Sequence, residues 1–152
     1  MSIHGEKAKK LFCEGYNCSQ AVFAAFCDVT GIEQETALKI SSSFGGGMGR
    51  MREVCGAVSG MFMVAGAVYG YSDPKNFKIK SEHYERIQKL ADVFRENNGS
   101  IVCRELLGIE GKDNSPVPSK RTSQYYKKRP CAELVEMAAD IMDDYIGKYG
   151  VK

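Results

Sequence analysis

Apolar positions recur at helical intervals along most of the chain, and no stretch keeps the strict alternation of a half-buried strand. Phe77, Leu90, Val93 and Phe94, with charges between them, predict a long amphipathic helix from Asn76 to Glu96 that ends at Asn97-Asn98-Gly99. Leu134, Met137, Ala138, Ile141 and Met142 predict a final helix from Pro130 to Gly147, with proline suited to its first turn. The charged, Ala-rich segment Glu6 to Glu14 reads as a first helix closed by Gly15. Asn17 caps a second, Cys18 to Val29, closed by Gly31, and a third follows from Glu33 to Ser42. Ser100 caps a short helix over Ile101 to Leu107, ended by Gly108, and Glu110 to Pro130 reads as one long polar loop.

Val54 to Ser72 is a nineteen-residue run without a formal charge, long enough to raise a membrane span. Gly56, Gly60, Gly66 and Gly70 interrupt it and Leu and Ile are scarce, which favours a buried central helix whose small residues let neighbours come close. The resulting fold class is all-α, a single compact bundle of six or seven helices around that Gly-rich helix, with residues 1–152 forming one domain.

Composition narrows the functional classes. The chain has 152 residues, 43% hydrophobic and 26% charged, which is an ordinary globular balance. Twenty-one Lys and Arg against nineteen Asp and Glu give +2, well short of a nucleic-acid binder. No apolar run of secretory length lies between Met1 and Tyr16, so a cytoplasmic location without membrane insertion is expected. In that compartment cysteines serve more often as metal ligands or redox groups than as structural bridges.

Six cysteines stand at 13, 18, 27, 55, 103 and 131, with no CxxC pair, so any thiol site has to be assembled by folding. Cys18 follows the cap Asn17, Cys103 lies three residues after Ser100, and Cys131 follows Pro130. These are first-turn positions, where the helix dipole favours thiolate. Arg52, Arg104 and Arg129 lie within three residues of Cys55, Cys103 and Cys131 respectively. Cys27, flanked by Phe23 and Phe26, and Cys13, beside Leu11 and Phe12, read as packing residues. For the other four, placement alone balances function against packing.

The motif Cys55-Gly56-Ala57-Val58-Ser59-Gly60 follows Phe44-Gly45-Gly46-Gly47-Met48-Gly49, with Gly15-Tyr16-Asn17-Cys18-Ser19-Gln20-Ala21 upstream and Cys103 and Cys131 downstream. This pattern resembles the C_GCAxxG_C_C family, to which a redox activity is ascribed. The family label writes Gly before Cys, whereas this chain reads Cys-Gly-Ala. The resemblance implies that Cys18, Cys55, Cys103 and Cys131 are the family's four cysteines and that Cys13 and Cys27 are extras.

Gly56 and Gly60, one turn apart, would offer a bare surface to a second helix, one bearing another cysteine. The N–H groups around Gly45, Gly46, Gly47 and Gly49 suit a thiolate, a cluster sulfur or an anion, with Gly56 completing the cofactor-binding set. No Gly-Lys-Ser/Thr follows, so a phosphate loop is disfavoured.

Three functions fit. Four thiolates could ligate an iron–sulfur cluster as an electron carrier or redox sensor, or a structural zinc. Without metal or cofactor, two of them could cycle between dithiol and disulfide as redox thiols. Otherwise the chain is a non-enzymatic helical binding module. The first two imply a redox partner, and none requires a nucleic acid; a homo-oligomer is compatible with all three. His4 and His83 are the only histidines. His83 reads as a solvated or partly packed residue, available as a fourth ligand. Tyr125 and Tyr126 read as anchors of the polar loop, and Met48, Met51, Met61 and Met63 as core filler.

Overall fold

The computed structural model describes residues 2–108 and 115–151. Among these residues the chain is all-α, with nine α-helices, one 3-10 turn and no named strand. The helices are α1 (Ile3–Cys13), α2 (Cys18–Ala25), α3 (Cys27–Thr30), α4 (Gln34–Ser41), α5 (Gly56–Tyr69), α6 (Phe77–Asn98), α7 (Cys103–Leu107), α8 (Ser123–Lys128) and α9 (Cys131–Tyr149). The number exceeds the expected six or seven for two local reasons. The second expected helix breaks at Phe26, whose φ of −103° and ψ of 19° separate α2 from α3. The segment expected as one long loop contains α8, which starts where the Thr122 side chain accepts the Tyr125 N–H. The 109–114 part of that expected loop lies outside the described residues.

The Gly-rich run is helical only over Gly56–Tyr69, and among the described residues no helix is long and apolar enough to cross a membrane. Helix α5 instead packs against α2, α3, α6 and α9, while α1 lies along α9. A Cβ at Gly60 would lie 2.8 Å from the Ser19 carbonyl oxygen and 2.9 Å from Val22 Cβ, so only glycine admits α2 this closely. At Gly56 the same atom would meet Cys18 Cβ at 3.0 Å. The expected bare face therefore exists, and the helix lying on it carries Cys18.

Phe12, Phe26, Phe94, Met61, Leu90 and Met142 are fully buried between these helices, each contributing about 1.5–3 kcal/mol by leaving water. Met51, expected in the core, is 54% exposed. The start of α1 is tied to α9 by the Ser2 N–H and hydroxyl, both donated to Asp140. His4, stacked on Phe26, bridges Asp143 and Asp28.

Candidate functional site

Four cysteines open onto one cavity of about 270 Å³: Cys18, Cys55, Cys103 and Cys131. Each reaches it by a different local device. Cys18 is the first residue of α2, fixed by a capping box in which Asn17 accepts the Gln20 N–H and the Gln20 side chain accepts the Asn17 N–H. Cys131 is the first residue of α9, after Pro130. Cys55 is itself the N-cap of α5. Its sulfur faces the Ala57 and Val58 N–H groups without closing a capping hydrogen bond.

Cys103 is placed by a contact not foreseen from sequence. Val54 and Val102 form an isolated antiparallel bridge, in which the Cys55 N–H donates to Ile101 O at 2.8 Å and the Cys103 N–H to Glu53 O at 2.6 Å. This one rung brings together two thiols far apart in sequence. It also moves the start of α7 to Cys103, capped by the Val102 position with no side-chain bond. Ser100, expected as the cap, accepts the Val102 N–H and donates its hydroxyl to Glu105.

The glycine segment folds as consecutive tight turns. A Cβ at Gly47 (φ +73°) would lie 2.7 Å from Cys103 Cβ, so this glycine admits the thiol-bearing helix. Met48, Arg50 and Arg52 also take positive φ, at 69°, 63° and 62°, a conformation costing roughly 1–2 kcal/mol for each such residue. Cross-turn hydrogen bonds hold it: Gly49 N–H to Ser43 O, Arg50 N–H to Gly45 O, Arg52 N–H to Gly46 O and Glu53 N–H to Gly47 O. Those amides are spent on backbone carbonyls. Gly45, Gly46, Gly47, Gly49 and Gly56 line the cavity, together with the Arg50 and Arg52 side chains.

Arg129 faces the cavity with Cys131 as expected, but the other cations differ. Arg104 donates to Met51 O and pairs with Glu53, 44% exposed, and is not among the residues lining the cavity. The neighbour of Cys103 is Arg52, buried, with Nη1 3.8 Å from Sγ. Arg121 and Arg129 also face the cavity. Arg121 donates to Phe12 O at 2.7 Å and Tyr16 O at 2.9 Å, and its guanidinium lies 4.2 Å from the Phe12 ring centroid. Arg50 and Arg121 are the functional candidates that sequence reading misses. Their only signal is arginine beside the glycine segment and inside the basic stretch 120–129.

The thiols are not equivalent. Cys18 and Cys131 face each other across the cavity, and each shifts the other's titration. The neighbouring Cys18 thiol, with Arg129, Arg121 and Arg52, lowers Cys131 to about 7 against the opposing effect of burial. Cys18 is raised well above the ordinary thiol value, first by the neighbouring Cys131 and then by burial. Burial pushes Cys55 up to about 12 and also raises Cys103, though Arg52 opposes the latter shift. The interaction favours ionisation of Cys131 over that of Cys18.

The remaining candidates do not join this group. Cys13 is exposed rather than packed, and Cys27 is half-buried against the core. His83 is buried, its Nδ1 accepting from Arg86 Nη1 at 2.8 Å, and neither it nor His4 lines the cavity. Tyr125 lines it, and with Tyr126 surrounds Arg121 from α8 rather than anchoring a loop.

A family model described as "Putative redox-active protein (C_GCAxxG_C_C)" matches residues 16–145. The chain belongs to this family. No curated protein and no solved structure matches it significantly. The C_GCAxxG_C_C match begins just before Cys18 and ends beyond Cys131, so all four cavity cysteines fall inside it.

The same donor set bears on a metal. Four thiols line one cavity, but among the described residues no three Cys, His, Asp or Glu side chains converge closely enough to hold an ion.

Proposed function

We propose that this chain is a dithiol redox protein in which Cys131 is the attacking thiolate and Cys18 the resolving thiol. The observation that carries this reading is the convergence of Cys18 and Cys131, the first residues of α2 and α9, on one arginine-lined cavity. A nucleophile needs its charge stabilised without losing access, and a resolving thiol must lie within bonding reach of the same sulfur. Helix starts supply both. Cys131 meets the unpaired N–H end of α9, while Arg121 and Arg129 add cationic charge. Cys55 and Cys103, with raised pKa values, remain protonated and form the wall of the site.

The test is to oxidise the reduced protein in graded dithiol/disulfide buffers, trap free thiols by alkylation and map the peptides. A reversible two-electron step joining Cys18 to Cys131, abolished in Cys131→Ser, is expected. Protein prepared without oxygen is assayed alongside for metal and acid-labile sulfide, with Cys55→Ser as the comparison. Stoichiometric iron and sulfide lost in that variant would replace the dithiol reading with a cluster held by all four cysteines. Zinc alone, lost in the same variant, would make the cysteines structural.

A further inference from the structure

We infer that the disulfide reduced at this site is a small organic one bearing carboxylates, seated with its negative charge on the cavity arginines and its carbon skeleton on the apolar wall. This inference rests on the dithiol reading and adds the chemical class of its substrate. Size is set by access. Cys131 is 8% exposed, Cys103 7% and Cys55 5%, all at the inside of a concave site. A disulfide embedded in the surface of a folded partner cannot bring its sulfur in line with Cys131, whereas a molecule matched to about 270 Å³ can enter.

Charge is set by the lining. Arg50, Arg121 and Arg129 face the cavity, and among the described lining residues there is no Asp or Glu. Arg121 is held by the Phe12 and Tyr16 carbonyls, and Arg50 by the Ser115 carbonyl and the Ser119 hydroxyl. Those acceptors are neutral, so they fix the guanidiniums in place without cancelling their charge. The two sides of the cavity also differ. Phe12, Leu106 and Leu134 supply an apolar wall, which an inorganic oxyanion would leave unused and a short carbon chain would cover.

The exchange balances in atoms and electrons. The Cys131 thiolate attacks one sulfur of the disulfide RS–SR, forming a Cys131–SR bond and expelling RS⁻. Cys18 then attacks Cys131 Sγ, forming the Cys18–Cys131 bond and expelling the second RS⁻, which takes the Cys18 proton. The substrate gains two electrons and leaves as one thiolate, protonated from water, and one thiol, and the cysteine pair loses two. An external dithiol reductant returns the pair to the reduced state.

Three disulfides of near-equal length test this with the full chain, pre-reduced at neutral pH: 3,3′-dithiodipropionate, bis(2-hydroxyethyl) disulfide and cystamine. They carry negative, neutral and positive ends. Acid quenching and mass spectrometry follow formation of the Cys18–Cys131 bond, and each rate is divided by that of a simple monothiol with the same disulfide. The anionic compound should lead the neutral one by about tenfold, equivalent to about 1.4 kcal/mol, with the cationic one slowest. High salt and Arg129→Gln should each shrink that ratio. A change in thiolate reactivity alone would shift all three rates together and leave the ratio intact. Equal normalised rates, with the Cys18–Cys131 bond still formed, would overturn the substrate class and leave the dithiol reading standing. Failure of all three to form that bond would overturn both.

Discussion

At the scale of single residues, Cys131 takes the attacking role in the proposed dithiol chemistry because several small effects act on one sulfur in the same direction. The influence of the neighbouring Cys18 thiol comes first and the three guanidiniums follow, together exceeding the penalty of burial. Its alkylation rate should therefore rise through about pH 7, below the ordinary thiol value of 9.0. Peptide-resolved iodoacetamide labelling across pH measures this and separates Cys131 from the exposed Cys13. Arg129→Gln should move the inflection upward, and an unchanged inflection would remove arginine from the account. Ser19 behaves differently. It is fully buried beside Cys18, with a hydroxyl that has no hydrogen-bond partner among the described residues. Ser19→Ala removes that group and vacates the space of a single atom, so the denaturant midpoint should rise by the equivalent of about 1 kcal/mol or more.

At the scale of elements, the devices that place the thiols divide into those legible in the sequence and those that are not. Asn17 followed by Gln20 is a local signal, and both the cap and the position of Cys18 are readable from it. The Gly56/Gly60 face is readable as a close-approach surface because its cause, a missing Cβ, is a property of the residue itself. Sequence misplaces Cys103 because its position depends on a single bridge between Val54 and Val102, and one rung leaves no alternation in either segment. Sequence distance pairs Arg52 with Cys55, yet in the fold its positive φ turns it toward Cys103. Helix α8 escapes because six polar and aromatic residues carry no apolar stripe. The order Cys55-Gly56, reversed from the family label, also bears on which thiols pair. A Cβ at position 56 would lie 3.0 Å from Cys18 Cβ, just under the span of about 3.5–4.5 Å found across disulfides. In the exchanged variant Cys55→Gly/Gly56→Cys, α2 and α5 have to part by about 0.5 Å. The thiol introduced at position 56 would then compete with Cys131 for Cys18. Non-reducing peptide mapping of the oxidised variant should show Cys18 bonded to the introduced thiol in place of part of the Cys18–Cys131 bond. Exclusive retention of the latter would mean that the pairing does not depend on the transposition.

For the molecule as a whole, oxidation and stability are linked, and the size of the link depends on pH. A Cys18–Cys131 bond would join the starts of α2 and α9, which already pack together, and close a loop of roughly 110 residues. Such a loop stabilises by up to about 4–5 kcal/mol through the unfolded chain. The reduced protein has its own pH-dependent term. Cys131 is depressed in the fold, to about 7 from the ordinary thiol value of 9.0, so its contribution is fully present above the unfolded pKa and is lost as pH falls through the folded one. At pH 7 that contribution is roughly a few tenths of a kcal/mol, and by about pH 9 it approaches 2 kcal/mol. Cys18 is raised, so its opposing contribution sets in only as pH passes the unfolded thiol value. Cys55 and Cys103 titrate in both redox forms, so their effects cancel in the difference. Denaturant midpoints of the oxidised and reduced proteins should therefore be furthest apart near neutrality and draw together as pH approaches 9. A gap that widens over that interval would place the stabilised charge somewhere other than Cys131. In that case the attacking role would pass to the thiol whose alkylation inflection lies lowest.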